Sequence, residues 1–355
     1  MEITTKLLKW YDQNRRTHLP WREDPTPYHV WVSEIMLQQT RVEAALPYYS
    51  RFIRELPDIY ALSMCEEEKL LMLWQGLGYY SRVRNLQKAA RRILQEHAGQ
   101  IPSSVKELTA LPGIGRYTAG AIASIAFGKK EIAPDGNAYR VAARLLNEKE
   151  SIDQTQVKKR LEKHLLLWIP EDRPGDFNQA LMDLGSGVCI PNGPARCESC
   201  PLQQECVSLR MGTADQLPVR DAKKERPKEN VLVLKIRMNG QIMIVKRASK
   251  MLLSGMWSLP TYHIPDMTYL DQQIQDKIAN GRVQDLGKHH RVFSGCEWNM
   301  RGLEIELTET DAVSDSWIGV RADAYTETAW VQEEQLQSDF SVPTAYRFYL
   351  EKRKK

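Results

Sequence analysis

The stretch from Leu111 to Arg144 constrains the fold more than any other part of this chain. It opens with Pro112-Gly113-Ile114-Gly115, where glycine permits positive φ and close backbone approach. A helix pattern follows, and a glycine turn that leads into a helix start presents N–H groups that can seat an anion. Beyond it lie Pro134-Asp135-Gly136-Asn137 and a second helix pattern. Many such turns only connect two elements and bind no ligand. A turn that can bind an anion, followed by a single acidic residue, is a rarer combination, and it predicts that these two helices form part of a functional site.

Composition limits the classes of protein that the chain can represent. Its 355 residues suffice for two domains, and a net charge of +4 does not by itself indicate nucleic acid. The first residues are polar and no apolar run reaches membrane-spanning length, so we expect a cytoplasmic protein without a membrane partner. Six cysteines in such a chain do not predict a disulfide framework.

The hydrophobic period changes once along the sequence. Residues 1–212 have helical spacing almost throughout, with a break expected near Pro47. Residues 213–229 are basic and aperiodic, which predicts an exposed linker. Residues 230–355 alternate with period two around Asn239-Gly240, a strong hairpin signal, and again at Leu303–Leu307. We therefore predict a mostly α-helical first domain and a separate α+β second domain.

Four cysteines crowd into one short segment: Cys189, Cys197, Cys200 and Cys206. Four thiolates at this spacing suit zinc or a [4Fe–4S] cluster, and spacing alone does not separate the two. Either group would have a mainly structural role, tying the end of the helical domain together. Arg196 lies in the first gap and could meet a phosphate.

Two carboxylates, far apart in sequence, are candidates for acid–base chemistry. Glu34 lies between Trp31 and Ile35 on an otherwise apolar helix face, where desolvation would raise its pKa. A glutamate at the rim of a core that reaches back to water explains Glu34 equally well. Asp135 could be no more than a helix N-cap. As a pair, they match glycosidic cleavage, in which an acid protonates the leaving group and a carboxylate faces the sugar cation.

Motifs spread over the helical half carry a family resemblance. They are L-P-W-R at 19–22, S-E-I-M-L-Q-Q-T at 33–40, G-L-G-Y-Y-S-R at 76–82, L-P-G-I-G-R-Y-T-A-G at 111–120, D-G-N at 135–137 and F-N-Q-A at 177–180. Together they resemble the adenine DNA glycosylases of the helix-hairpin-helix/Gly-Pro-Asp superfamily. A base within a duplex must be extruded before it can be cleaved, and the gap needs a filler.

The resemblance implies a role for each matching residue. Glu34 would be the general acid and Asp135 would stabilise the sugar cation, with Asn137 and Tyr117 completing the catalytic group. The pocket for the extruded adenine would comprise Trp21, Arg22, Leu37, Val42 and Gln179. The residues implied to contact or wedge into DNA are Gln38, Gln39, Tyr79, Arg82, Gly113, Gly115 and Arg196.

The resemblance also bears on the metal and on the reaction type. It favours a [4Fe–4S] cluster, although the first cysteine gap holds seven residues where the family usually has six. Tyr117 occupies the place of the lysine that lets bifunctional relatives cut the strand through a Schiff base. Loss of that amine implies a monofunctional enzyme that leaves an abasic site. Pro134 replaces the apolar residue that commonly precedes the aspartate.

The second half carries a weaker signature. The segment L-S-G-M-W-S-L-P at 253–260 resembles Nudix domains, but no R-E-x-x-E-E run follows to hold magnesium. We therefore expect no hydrolase activity, and the resemblance to the adenine DNA glycosylases implies a Nudix-like lesion-reading domain. The resemblance assigns Phe293 and Ser294 to contact with 8-oxoguanine, and Gly295 stands where relatives commonly have histidine.

The sequence thus predicts a monomeric enzyme that removes adenine mispaired with 8-oxoguanine or guanine in double-stranded DNA. A related glycosylase that acts on G·T mismatches or oxidised pyrimidines is one alternative. A helix-hairpin-helix protein that binds DNA without catalysis is another, although pure binding has no use for buried acids.

Overall fold

The computed structural model describes residues 2–191, 193–222, 224–249, 251–265, 283–307, 321–322 and 324–350. The chain forms two compact units, one of Met1–Cys65 with Ser81–Lys223 and one of Glu66–Tyr80 with Lys224–Lys355. Across the described ranges, the helices are too short or too polar to cross a membrane.

The first unit is helical, as predicted. Its helices are α1 (Glu2–Asn14), α2 (Pro20–Glu23), α3 (Pro27–Leu37), α4 (Val42–Glu55), α5 (Ile59–Met64), α7 (Ser81–Glu96), α8 (Val105–Ala110), α9 (Arg116–Ala121), α10 (Gly136–Leu146), α11 (Thr155–Trp168), α12 (Pro174–Gly187) and α13 (Val207–Arg210). Apolar faces of α1, α10, α11 and α12 form one core, which includes Leu7, Val141, Leu161 and Phe177.

The break predicted near Pro47 is wrong. Pro47 lies inside α4, and the chain breaks earlier, between the end of α3 at Leu37 and the start of α4 at Val42. Proline near the start of a helix forfeits a single backbone hydrogen bond, so α4 continues through it. The turn that results carries Gln38 and Gln39.

The glycine turn before α9 depends on only one of its two glycines for its conformation. Gly113 has φ of 77°, and a Cβ there would lie 2.7 Å from the Cβ of Asn85. Gly115 is the N-cap of α9 with φ of −87°, and a Cβ there would meet nothing within 4 Å. Backbone conformation therefore requires glycine at 113, whereas the open space at 115 leaves the start of α9 uncovered.

The second unit is built on a sheet, to which its described residues contribute eight strands. They are β1 (Lys228–Met238), β2 (Gln241–Arg247), β3 (Trp257–Ser258), β4 (Thr261–Ile264), β5 (Val283–Val292), β6 (Glu297–Leu307), β7 (Arg321–Ala322) and β8 (Tyr325–Val331). Strand β1 runs parallel to β6 and antiparallel to β2 and β4. Asn239 and Gly240, with φ of 52° and 79°, form the predicted two-residue turn between β1 and β2.

Short helices accompany this sheet. They are α6 (Glu67–Trp74), α14 (Gln335–Ser338) and α15 (Arg347–Leu350). The segment that contains α6 is bonded to the C-terminal part of the unit: Gln75 Nε2 donates to the carbonyl of Val342 at 2.7 Å. The backbone N–H of Ser341 donates to Glu68 Oε1 at 2.8 Å. Most of the stretch where a Nudix motif would occur, residues 266–282, lies outside the described residues.

Candidate active site

One cleft of about 710 Å³ in the first unit brings together the predicted catalytic and pocket residues. All four predicted catalytic residues line it: Glu34, Tyr117, Asp135 and Asn137. All five predicted pocket residues line it as well: Trp21, Arg22, Leu37, Val42 and Gln179. The volume falls within the range of pockets that enclose small organic groups, so a nucleobase would fit.

Glu34 is placed on α3 as a buried carboxyl group. Its side chain is 7% exposed, and the Tyr117 hydroxyl donates a hydrogen bond to its Oε2. Burial raises the pKa of Glu34 to about 7, and the charge of Asp135 adds to that rise, whereas the Tyr117 hydrogen bond and the Arg22 charge lower it. Of the two sequence-based explanations for Glu34, the structure therefore favours a desolvated acid over a side chain that reaches water.

Asp135 is the N-cap of α10, as one sequence-based explanation expected, and it also faces the cleft. Its Oδ1 accepts from the Ala138 N–H and its Oδ2 from Asn137 Nδ2, both at 2.7 Å. Burial raises the pKa of Asp135, while these hydrogen bonds and the Arg140 charge lower it. Capping thus fixes the carboxylate without removing it from the cleft, and Pro134 does not disturb the cap.

A chain of hydrogen bonds leads from this aspartate to the cysteine segment. Arg140 Nη2 donates to Asn137 Oδ1 at 2.7 Å, and its Nε donates to the carbonyl of Cys189 at 2.8 Å. Arg144, 4% exposed, places Nη1 at 3.2 Å from Cys189 Sγ. Both arginines are therefore internal structural cations. The sequence showed them on a helix but did not indicate these contacts.

All four cysteines of the segment line one small cavity of about 30 Å³. Cys189, Cys197, Cys200 and Cys206 are free thiols, and burial raises the pKa of Cys200 to about 12. Within the described ranges, no three His, Cys, Asp or Glu side chains converge closely enough for a single metal ion. Four cysteine thiols around one cavity are a donor set that suits either a zinc ion or an iron–sulfur cluster.

Arg82 requires a correction. It is 9% exposed, and its Nη1 donates to the carbonyls of Ile35, Met36 and Gln38 at 2.8, 3.0 and 2.6 Å. A guanidinium buried in this way satisfies carbonyl groups at the end of α3 and is not available to DNA phosphate. Arg82 instead holds the turn in which Gln39, exposed and with φ of 59°, follows Gln38.

The other predicted DNA contacts lie outside the cleft lining. Gln38 Nε2 reaches the Thr118 hydroxyl at 3.4 Å, and Arg196 is exposed on the cysteine segment. Gly113 and Gly115 form the turn before α9. Tyr79 is 41% exposed with φ of 50° and belongs to the second unit.

The predicted lesion-reading residues occupy the turn between β5 and β6. The Phe293 N–H donates to the carbonyl of Cys296 at 2.8 Å, and its ring meets Trp298 edge-on at 4.9 Å. Ser294 is exposed, and a Cβ at Gly295 would meet nothing within 4 Å. Ser294 and Gly295 are therefore exposed to solvent in a turn that is supported by the contact between the Phe293 and Trp298 rings.

Sequence reasoning missed part of the cleft wall. Asp183, on α12, is 6% exposed and accepts hydrogen bonds from both Arg16 and Arg22. The available signal was an acid four residues after Gln179 in an otherwise apolar helical run, which places the two side chains on one face. Arg16 offered no such signal.

Comparisons with known proteins agree with this geometry. Residues 32–166 match the HhH-GPD superfamily of base excision DNA repair proteins, and residues 231–352 match the NUDIX domain. A thermostable thymine-DNA glycosylase structure superposes with a TM-score of 0.54 at 26% identity, over 59% of this chain and 95% of that one.

Curated relatives are more specific. The adenine DNA glycosylase of Mus musculus is 42% identical over 87% of this chain and 71% of the mouse protein. That of Buchnera aphidicola from Schizaphis graminum is 35% identical over 72% of this chain and 74% of its own length. With relatives this similar over more than two thirds of their own length, the chain belongs to the adenine DNA glycosylase family of base excision repair enzymes.

Proposed function

We propose that this enzyme hydrolyses the N-glycosidic bond of adenine opposite 8-oxoguanine or guanine in double-stranded DNA. The observation that carries the proposal is a buried carboxyl group with a pKa of about 7, Glu34, in the same cleft as a capped carboxylate, Asp135. One group can hold a proton at neutral pH and the other can hold a charge, which is the division of labour that acid-assisted glycosidic cleavage needs.

Each side chain of the cleft has a separate role in the proposed reaction. Glu34 gives its proton to a ring nitrogen of the extruded adenine, so that the base leaves as a neutral molecule. Asp135, held by Asn137 and the Ala138 N–H, faces the positive charge that develops on the sugar. Water then adds to the sugar cation and gives a proton to the Glu34 carboxylate, which restores the acid and leaves an abasic site. Tyr117 orients Glu34 and has no amine to form a Schiff base, so the strand stays intact.

The cysteine cavity is proposed to hold a [4Fe–4S] cluster through Cys189, Cys197, Cys200 and Cys206. When bound, the cluster would tie the cysteine segment to α10 and has no part in the chemical step. Arg144 would donate to one of its thiolates.

Contact with DNA is proposed to come from the turns at Gly113–Gly115 and Gln38–Gln39, with Tyr79 and Arg196 adding to it. Backbone N–H groups at a helix start address phosphate and carry no sequence information. Binding should therefore weaken steeply with salt.

We further propose that the protein acts as a monomer, with residues 1–212 as the glycosylase domain, 213–229 as the linker and 230–355 as the lesion reader.

The acid–base pair is tested by Glu34→Gln and Asp135→Asn. Each removes one ionisable group with little change of shape, so each should keep duplex affinity and lower the single-turnover excision rate by about 100-fold or more. Excision is measured on duplexes with adenine opposite 8-oxoguanine, with alkali added to reveal abasic sites. Glu23→Gln, at an exposed glutamate on α2, is the matched control.

Near wild-type excision by either catalytic variant would show that the pair is misassigned. Strand nicking before alkali, or borohydride trapping of a covalent complex, would contradict the monofunctional mechanism.

Selectivity for 8-oxoguanine is proposed to rest on Ser294. Because Gly295 offers no side chain, we propose that the preference for adenine opposite 8-oxoguanine over adenine opposite guanine is narrower than a histidine at this position would give. Gly295→His should widen the ratio of excision rates on the two mispairs by up to about tenfold, the value of one added polar contact. The open space at this position lets the residue fit without repacking. Gly295→Ala, which adds no polar group, is the control, and equal ratios in both variants would refute the idea.

A further inference from the structure

The wall of the cleft contains a buried acid that the proposed reaction does not use. Asp183 accepts from Arg22 Nη1 and Nη2 at 2.7 and 2.9 Å, a two-pronged pairing. Arg16 also donates to it, through Nε at 2.9 Å and through Nη2. One carboxylate thus engages two guanidinium groups.

The charges in this cluster do not balance. One negative charge faces two positive charges, so a net positive charge remains beside the cleft. The Arg22 side chain is 10% exposed, and the Arg16 side chain is 31% exposed. A buried cation that lost the carboxylate to which it is hydrogen-bonded would be strongly disfavoured in its present place, so Asp183 determines where the guanidinium of Arg22 can lie.

The pairing with Asp183 uses two of the five N–H donors of Arg22 and leaves three. Its guanidinium also lies over the ring of Tyr11, 5.9 Å from the centroid, which fixes it on a second side. Adenine offers ring nitrogens that only accept hydrogen bonds, so an arginine with free donors matches that edge of the base.

We propose that Asp183 is a positioning residue, which holds Arg22 so that its free N–H groups face the ring nitrogens of the extruded adenine and which balances the Arg22 charge next to Glu34. This inference rests on the proposed function, because it assumes that adenine enters the cleft. It assigns no proton transfer to Asp183. Its effect passes through Arg22.

The test compares Asp183→Asn with Asp176→Asn. Asp176 also lies on α12 and pairs with an arginine, Arg173 at 2.8 Å, but it does not line the cleft. Affinity is measured for two duplexes, one with a non-hydrolysable adenosine analogue and one with an abasic-site analogue that leaves the pocket empty. Asp183→Asn should weaken binding of the first about tenfold or more and leave the second unchanged, and Asp176→Asn should change neither.

A pH profile supplies a readout that a purely structural role would not move. Tyr117, Asp135 and Arg22 act on Glu34. Without the Asp183 charge, the Arg22 cation should lower the pKa of Glu34 further. The alkaline limb of the single-turnover profile should then shift to lower pH in Asp183→Asn and stay in place in Asp176→Asn.

Equal affinity loss for both duplexes, or an unmoved alkaline limb, would overturn the proposal. If Asp183→Asn does not fold, Arg22→Met takes its place in the affinity comparison, and retained preference for the adenosine duplex would equally overturn it. Failure of the proposed function itself is separable, because the wild-type protein would then release no adenine from either mispair.

Discussion

At the scale of single residues, the hydrogen bond between Tyr117 and Glu34 opposes the effect of burial on the same carboxyl group. Burial favours the protonated acid, whereas a hydroxyl that donates to Oε2 favours the carboxylate. The balance is a pKa of about 7, so the acid is largely protonated at pH 6 and about one tenth protonated at pH 8. We expect the excision rate to fall about tenfold for each pH unit above 7.

Tyr117→Phe should move this alkaline limb upward. The hydrogen bond stabilises the carboxylate form of Glu34 by about 1.5–3 kcal/mol. Removing it therefore raises the pKa of Glu34 by about 1–2 units. The acid then stays protonated to higher pH, so the limb shifts by that amount. Single-turnover rates from pH 5 to 10 would show it, with Tyr139→Phe as control because that hydroxyl bonds Glu162 at 2.6 Å outside the cleft lining. A limb that stays fixed would mean that another group controls it.

Residue chemistry was readable from the sequence where a side chain acts through its own type and its immediate neighbours. Glu34 was identifiable as a candidate because it interrupts an apolar helix face, but the sequence alone left open whether its carboxyl group reaches water. Arg82 was misread, since a basic residue on an amphipathic helix is usually exposed and only the fold brings the α3 carbonyls to it. Asp183 was missed for a similar reason: both of its partners lie more than 150 residues away in sequence.

At the scale of secondary structure elements, the turn before α9 separates two uses of glycine. Gly113 supplies a backbone conformation and a close contact, whereas Gly115 supplies open space. The sequence predicted the turn but could not distinguish the two uses, because φ is not encoded by the residue type alone. The Asn239-Gly240 turn was predictable in detail, since two consecutive residues with positive φ narrow the choice to very few sequences.

Gly113→Ala and Gly115→Val should therefore differ in kind. The first forces a positive φ and a 2.7 Å contact on a residue with a Cβ, so the free energy of unfolding should fall by about 1–3 kcal/mol. The second should leave stability nearly unchanged and weaken binding to every duplex alike. Urea unfolding and affinity titrations on matched and mispaired duplexes measure both effects. Loss confined to mispaired duplexes in Gly115→Val would show that this turn is not the backbone anchor.

At the scale of the whole molecule, the cysteine segment joins distant parts of the first unit. Arg140 and Arg144 connect it to α10 and, through Asn137, to Asp135. Closing this segment around a metal group should therefore stabilise more than the segment itself.

Cys200→Ser should abolish the visible absorption of the purified protein and lower its melting temperature. Each kcal/mol of lost stability corresponds to about 2–4 °C in a domain of this size, so loss of a cluster should shift it by several degrees. Cys296→Ser, at a free cysteine of the second unit, is the control. A colourless, zinc-loaded wild-type protein would exclude the iron–sulfur assignment.

The membership of Glu66–Tyr80 in the second unit has a consequence for the order of events on the ribosome. This segment is synthesised early, yet the rest of its compact unit begins at Lys224, more than 140 residues later. At about 5–20 residues per second, translation of that interval takes roughly 7–30 s. During that time the first unit can complete its core from Met1–Cys65 and Ser81–Lys223. The segment that contains α6 and Tyr79 cannot yet form its contacts with the rest of the second unit, such as the hydrogen bond to Val342. A nascent chain stalled before Lys224 would thus carry the catalytic acids but an unfinished Tyr79 segment.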